Sequence, residues 1–241
     1  MTRAVLCDVY GTLLRAGQPP SDADAHWERL CATYLAGSRR PGRAEFLAAC
    51  ERVVARQHEE ARRRGMAHPE VQWPKVVAEA LPGFDRLSAA AQAEFVFRQM
   101  QTVRTVSLMA GAGAALTALR RAGVLLGIVS NSQAYTRREL RQAGLDLGMF
   151  DPAVSFWSFE HGFSKPDPRV FQTVAARLEA RGLAAQQILM VGDRVDNDMA
   201  PARALGWQTW RLTEVGGDGV EAGDWDQLRA RLLGGPGEPS A

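Results

Sequence analysis

Asp8 stands directly after the apolar run Ala4-Val5-Leu6-Cys7 and opens the segment Val9-Tyr10-Gly11-Thr12. A carboxylate just past a buried strand is partly desolvated and rigidly held, and an aspartate so placed can act as a covalent nucleophile. Gly11 permits a tight turn there, and Thr12 can hydrogen-bond the loop. Taken alone, the same residues suit a turn-capping aspartate equally well. Three further polar groups follow apolar runs: Ser130-Asn131 directly after Val124 to Val129, Asp193 one residue after Ile188 to Val191, and Lys165 a few residues after Ala153 to Trp157.

These runs are short and apolar on both faces, as buried parallel strands are. A fifth run covers Trp207 to Leu212. Helical patterns separate them at Ala114 to Ala122, Ala134 to Ala143, Arg169 to Arg181 and Ala200 to Leu205, each followed by glycine. The alternation predicts an α/β fold, a doubly wound parallel sheet of Rossmann-like kind. Such sheets bind ligands at the carboxyl ends of their strands, where Asp8, Ser130, Lys165 and Asp193 all fall. Residues 15–105 break the alternation. Helical periodicity around Trp27 to Leu35, Ala44 to Arg64 and Trp73 to Ala80 predicts an all-helical domain inserted between the first two core strands. The expected domains are therefore an α/β core of residues 1–14 and 106–233, a helical insert of 15–105, and a disordered tail of 234–241.

Four segments together resemble the motifs of the haloacid dehalogenase superfamily. Leu6-Cys7-Asp8-Val9-Tyr10-Gly11-Thr12-Leu13-Leu14 is similar to the first, and Ile128-Val129-Ser130-Asn131 to the second. Ser164-Lys165-Pro166-Asp167-Pro168 resembles the third, and Val191-Gly192-Asp193-Arg194-Val195-Asp196-Asn197-Asp198 the fourth. Their order and spacing are those of the family, and the helical insert falls where the family places a cap domain. The resemblance implies a hydrolase in which Asp8 attacks the substrate and water hydrolyses the aspartyl intermediate. It implies that Ser130, the Asn131 backbone and Lys165 hold the transferring group, with Tyr10, Gly11 and Thr12 in the nucleophile loop. A helix start favours an anion near Asn131, and a lysine is a compact point charge suited to a phosphoryl or carboxylate group. It further implies Mg²⁺ bound by Asp8, the Tyr10 carbonyl and Asp193, with Asp198 nearby and Asn197 or Asp196 orienting them. Crowded carboxylates repel one another, and a hard cation relieves this. Two plainer readings stay open: Asp198 and Asn197 as caps of the following helix, and Lys165 as a surface lysine before a turn.

One position departs from the phosphatase pattern. Family phosphatases carry a second aspartate two residues after the nucleophile, which protonates the leaving oxygen; here Tyr10 occupies it. Loss of a general acid typically costs about 10²–10⁴ in rate. The Asp-x-Tyr-Gly-Thr form resembles 2-haloacid dehalogenases, whose halide leaves without a proton. The fourth motif instead has the acidic form of the Mg²⁺-dependent phosphatases, and the dehalogenase tyrosine six residues past the lysine corresponds to Phe171. Arg39 and Arg40 are candidates for the dehalogenases' carboxylate-binding arginine. The expected activity is a Mg²⁺-dependent phosphatase of small organic phosphates with good leaving groups, with 2-haloacid dehalogenation and non-catalytic ligand binding as alternatives.

Composition narrows the partners. With 241 residues, 46% hydrophobic and a formal charge of +2, nothing points to nucleic acid or a membrane surface. The N-terminus lacks a secretory pattern, so a cytoplasmic enzyme acting on a small molecule is expected, with a homodimer left open. The spacing of Cys7, Cys31 and Cys50 matches no zinc or disulfide pattern. His161 reads more readily as a loop residue than as an acid or base, and Trp27, Trp73, Phe95 and Phe97 as packing within the insert.

Overall fold

The computed structural model describes residues 1–35, 40–213 and 221–234. The expected tail lies outside them except for Gly234. Six parallel strands form the main sheet: β1 (Ala4–Cys7), β4 (Leu125–Ser130), β5 (Phe156–Trp157), β6 (Ile188–Gly192), β7 (Gln208–Leu212) and β8 (Ala222–Gly223). Their order is β5-β4-β1-β6-β7-β8, so the first strand lies at the centre. All four residues of β1 are fully buried. Val5 and Cys7 face one apolar layer with Ile128, Leu189 and Trp210, while Ala4 and Leu6 face another with Val170, Phe171 and Met190. Burial on both faces is why this strand is an unbroken apolar run.

Helices cover both faces. α5 (Ala112–Arg121), α6 (Thr136–Gln142) and α10 (Trp225–Leu233) pack on the Val5 side. α8 (Pro168–Glu179) and α9 (Ala200–Ala204) pack on the other, and the short α7 (Ser158–His161) follows β5. Local chemistry explains several of the starts. Asp167 accepts from the Arg169 amide just before Pro168, and Asp224 and Gln227 form a reciprocal capping box at α10. The short strand β5 also follows a 3₁₀ turn at Pro152–Val154, so the weak run from Ala153 is only partly extended.

The insert contains α1 (Ala23–Tyr34), α2 (Arg43–Arg63), α3 (Trp73–Ala80) and α4 (Ala89–Gln101) among the described residues. They share a separate apolar cluster in which Trp27 stacks on Phe46 at 4.4 Å and meets Phe95 edge-on at 5.9 Å. The chain enters the insert through β2 (Leu14–Ala16) and leaves it through β3 (Val106–Leu108). These two segments pair antiparallel, so both crossings run side by side as one ribbon. None of the described helices is long and apolar enough to cross a membrane. All three cysteines are free and buried.

Candidate active site

The ends of β1, β4 and β6 meet over a hollow of about 210 Å³ lined by Asp8, Tyr10, Asn131, Lys165, Asp193, Arg194, Asn197 and Asp198. The Asp8 amide donates to the Val191 carbonyl at 2.9 Å, which fixes the nucleophile candidate against β6. Lys165, only 4% exposed, donates to Asp8 Oδ1 at 2.7 Å and to Asp198 Oδ1 at 2.6 Å. Burial opposes its charge, but Asp8 and Asp198 outweigh burial and hold its pKa above the usual lysine range. Asp8 goes the other way. Burial, helped by the Asp198 charge and opposed by Lys165, pushes its carboxyl up to about 6. Asp193 is also raised, first by burial and then by Asp198.

Asp8, Asp193 and Asp198 can each turn an oxygen to within 4.8 Å of the others. Two glycines allow this crowding. Gly11 sits at φ +82°, and a Cβ there would collide with the Asp193 carboxylate. A Cβ on Gly192 would run into the Asp198 carboxylate. A third side chain thus comes as close as the backbone permits, and the oxygen-only donor set suits a hard divalent cation. Asp198 is not a helix cap here: its Oδ2 accepts from the Arg194 amide at 3.2 Å, four residues back, within a π-helical turn over Val195–Met199. Lys165 is not a surface lysine either, since two carboxylates enclose it.

Other expected site residues sit differently. Asn131 lines the hollow, but its side chain is engaged with the main chain of Lys165, donating to the carbonyl at 2.8 Å and accepting from the amide at 2.7 Å. It ties the two loops together. Ser130 is 1% exposed, and its Oγ finds no partner among the described residues. The Thr12 hydroxyl does not bond the loop as the sequence suggested; it is likewise buried and unpartnered. The loop closes instead through the main chain, with the amides of Leu13 and Leu14 donating to Val9 O at 2.7 and 2.8 Å. Trp225 Nε1 adds a bond to the Thr12 carbonyl at 2.9 Å. Gly11 is the point of close approach to Asp193 and does not line the hollow. Arg40 borders a separate cavity with Asp24 and Trp27, so it is not the carboxylate-binding arginine of this hollow; Arg39 lies outside the described residues. His161 stacks on Phe156 at 4.1 Å, away from the hollow.

Tyr10 is the informative departure. Its hydroxyl is bonded to Glu139, to Thr136 Oγ1 at 2.8 Å and to Arg104 Nη2 at 2.6 Å. Arg104 also lies over the Tyr10 ring, 4.4 Å from its centroid, and pairs with the buried Glu139 at 3.2 Å. Burial, reinforced by Glu139 and opposed by Arg104, pushes the phenol far above the tyrosine range. A neutral phenol held this way is a poor proton donor near neutral pH. Neither Arg104 nor Glu139 is marked by any motif, because they lie 94 and 129 residues away from Tyr10.

The family profile for haloacid dehalogenase-like hydrolases matches residues 2–206. The chain belongs to that family. It is 34% identical over 99 residues to a glyceraldehyde 3-phosphate phosphatase of Pyrococcus abyssi, covering 41% of this chain and 40% of that one. It is 35% identical over 114 residues to a phosphoserine phosphatase of Thermus thermophilus, covering 47% of this chain and 43% of that one. The chain thus spans less than half the length of the curated relatives it matches. Two solved structures show the shared fold along nearly the whole length. A haloacid dehalogenase-family phosphatase from Thermococcus onnurineus superposes with a TM-score of 0.57 at 22% identity, covering 97% of this chain and 99% of that one. A 2-haloacid dehalogenase from Pseudomonas syringae gives 0.59 at 19% identity, covering 96% and 98%.

Proposed function

We propose that this hydrolase is a phosphatase of small organic phosphates working through an aspartyl intermediate on Asp8. The observation that carries the reading is the gathering of Lys165 and three carboxylates around one small hollow. In this reading an Asp8 oxygen forms a bond to phosphorus while the bond from phosphorus to the leaving oxygen breaks. Water then attacks the phosphorus, releasing inorganic phosphate and restoring Asp8. Lys165 keeps Asp8 oriented and offsets charge on the transferring group. The Asn131 backbone, at the wall of the hollow, would meet the non-bridging oxygens, whereas the orphaned Ser130 hydroxyl is buried and does not line the hollow. The helical insert serves as a cap that limits water.

Mg²⁺ fits the acidic side: Asp8 and Asp193 would hold it, with the Tyr10 carbonyl completing the set and Asp198 beside them. When bound, it would neutralise charge on the phosphoryl oxygens. Mg²⁺ at a hundred times its Kd should stabilise the fold by about 2.7 kcal/mol. A thermal-melt titration should therefore rise by several degrees, and Asp193→Asn should abolish most of the rise. A flat titration in the native protein would remove the metal from the proposal.

Tyr10 sets the substrate range. With its hydroxyl committed to Arg104 and Glu139, the leaving oxygen receives no proton from this position. Acyl and aryl phosphates should outpace alkyl phosphates by about 10²–10⁴ in kcat/KM. A series graded by leaving-group pKa, run with and without Mg²⁺, measures this, and a level series would contradict it. The same tyrosine favours a second reading, 2-haloacid dehalogenation. Halide release from 2-chloropropionate without phosphatase activity would establish that reading instead.

A further inference from the structure

The insert reaches the loops behind the site through a segment between α2 and α3 that no motif marks. His68 to Val71 runs antiparallel to Gly162–Ser164, the segment that leads into Lys165. The Glu70 amide donates to Gly162 O, and the Ser164 amide donates to His68 O, each at 2.9 Å. Glu70 then turns its carboxylate into the core. Oε2 accepts from Ser158 Oγ at 2.6 Å, and Oε1 accepts from Gln133 Nε2 at 2.9 Å and the Val71 amide at 3.0 Å. The fully buried Ser158 Oγ in turn accepts from the Ser132 amide at 2.8 Å. Gln133 also donates to Val71 O at 2.8 Å and accepts from the Trp73 amide at 3.0 Å.

Glu70 therefore engages both loops assigned to the anion-holding groups, one with its carboxylate and one with its main chain. One is Ser130–Gln133, reached through Ser158 and Gln133. The other is Gly162–Lys165, reached through the strand-like pairing of its own backbone. Asn131 already ties these two loops to each other. Burial penalises a charge on Glu70 and raises its pKa against three favourable hydrogen bonds. An apolar residue here would leave the Ser158 hydroxyl, Gln133 Nε2 and the Val71 amide without their acceptor. We infer that Glu70 is a positioning residue: from the insert, it sets the loops that grip the transferring group. The cradle is then complete only with the insert docked. This rests on the phosphatase reading, because it names what those loops hold.

Residues that orient a binding group from behind typically contribute 10–100-fold, and small displacements of reacting groups cost similar amounts. The test compares the wild type with Glu70→Ala, Glu70→Gln and Ser158→Ala. Acetyl phosphate turnover, inhibition by orthovanadate, and amide hydrogen exchange at Ser132 and Gln133 are read for each. In Glu70→Ala and Ser158→Ala, kcat/KM should fall and the vanadate Ki rise by roughly 10–100-fold, with faster exchange at Ser132. Glu70→Gln, which keeps one acceptor oxygen, should recover part of both effects. Ser158→Ala removes a single hydroxyl and keeps the test sound if Glu70→Ala does not fold. Unchanged vanadate affinity in these variants overturns the inference, even where stability drops, because a purely structural glutamate would move only the melting point. So does unchanged exchange at Ser132. A wild type that neither hydrolyses acetyl phosphate nor binds vanadate sinks the phosphatase reading itself, and the inference with it.

Discussion

Asp8→Asn is expected to lower kcat on the order of 10⁴–10⁶-fold, since in the proposed mechanism it removes the attacking atom and leaves only binding and electrostatic assistance. The variant should stay folded, and in chelator-treated protein it should melt higher than the wild type near neutral pH. The sign follows from the raised carboxyl pKa, about 6 in the fold against 3.8 for a free aspartate. A group with a raised folded pKa favours the fold while protonated, and that advantage is lost as pH rises through the folded value. Ionised Asp8 is thus a cost to stability, and asparagine never incurs it. The two melting curves should converge below about pH 4 and separate up to about pH 6. Residual turnover near the wild-type rate would show that another group attacks. A lower melting point at neutral pH would show that Lys165 stabilises Asp8 more than burial penalises it.

Lys165→Met is expected to do the reverse to stability while also removing activity. It keeps the approximate volume but strands two buried carboxylates that the ammonium now joins at 2.7 and 2.6 Å. Removing one partner from a buried ionic cluster costs about 3–5 kcal/mol. Urea unfolding at pH 8 should show most of that loss, and unfolding near pH 5 less, because Asp8, already raised to about 6, can then take up a proton. Kinetics should show a drop in kcat/KM of at least about 10²-fold, as for loss of a preorganised charge. A loss under about 1 kcal/mol at pH 8 would mean that water already solvates the pair.

The alternation of apolar runs made the sheet readable, because β1, β4 and β6 are buried on both faces and carry little polar interruption. α4 escaped notice although Ser88 caps it, since its first turns are Ala89-Ala90-Ala91 and show no apolar stripe. The ribbon of β2 and β3 has only three residues per strand, too few for a period to show. α10 announces itself only through the Asp224–Gln227 box. In the site, Asp8 and Asp193 are legible because each directly follows a strand, while Lys165, beyond α7, and Asp198, in the turn Val195–Met199, are marked by their motifs. Glu70, Arg104 and Glu139 are not. Their partners lie far along the chain, and a glutamate or arginine on a helix or in a loop looks in sequence like any solvated surface residue.

The position of β1 governs when this site can come into being. It is made first, yet it pairs with Leu125 to Ile128 on one side and with Ile188 to Val191 on the other. The Asp8 loop also waits for Trp225 to reach the Thr12 carbonyl. During synthesis, the strand that carries Asp8 can meet Leu125 to Ile128 early, but it keeps one open edge until Ile188 to Val191 have left the ribosome. Such delayed, distant closures make folding slow and leave the nascent chain open to aggregation.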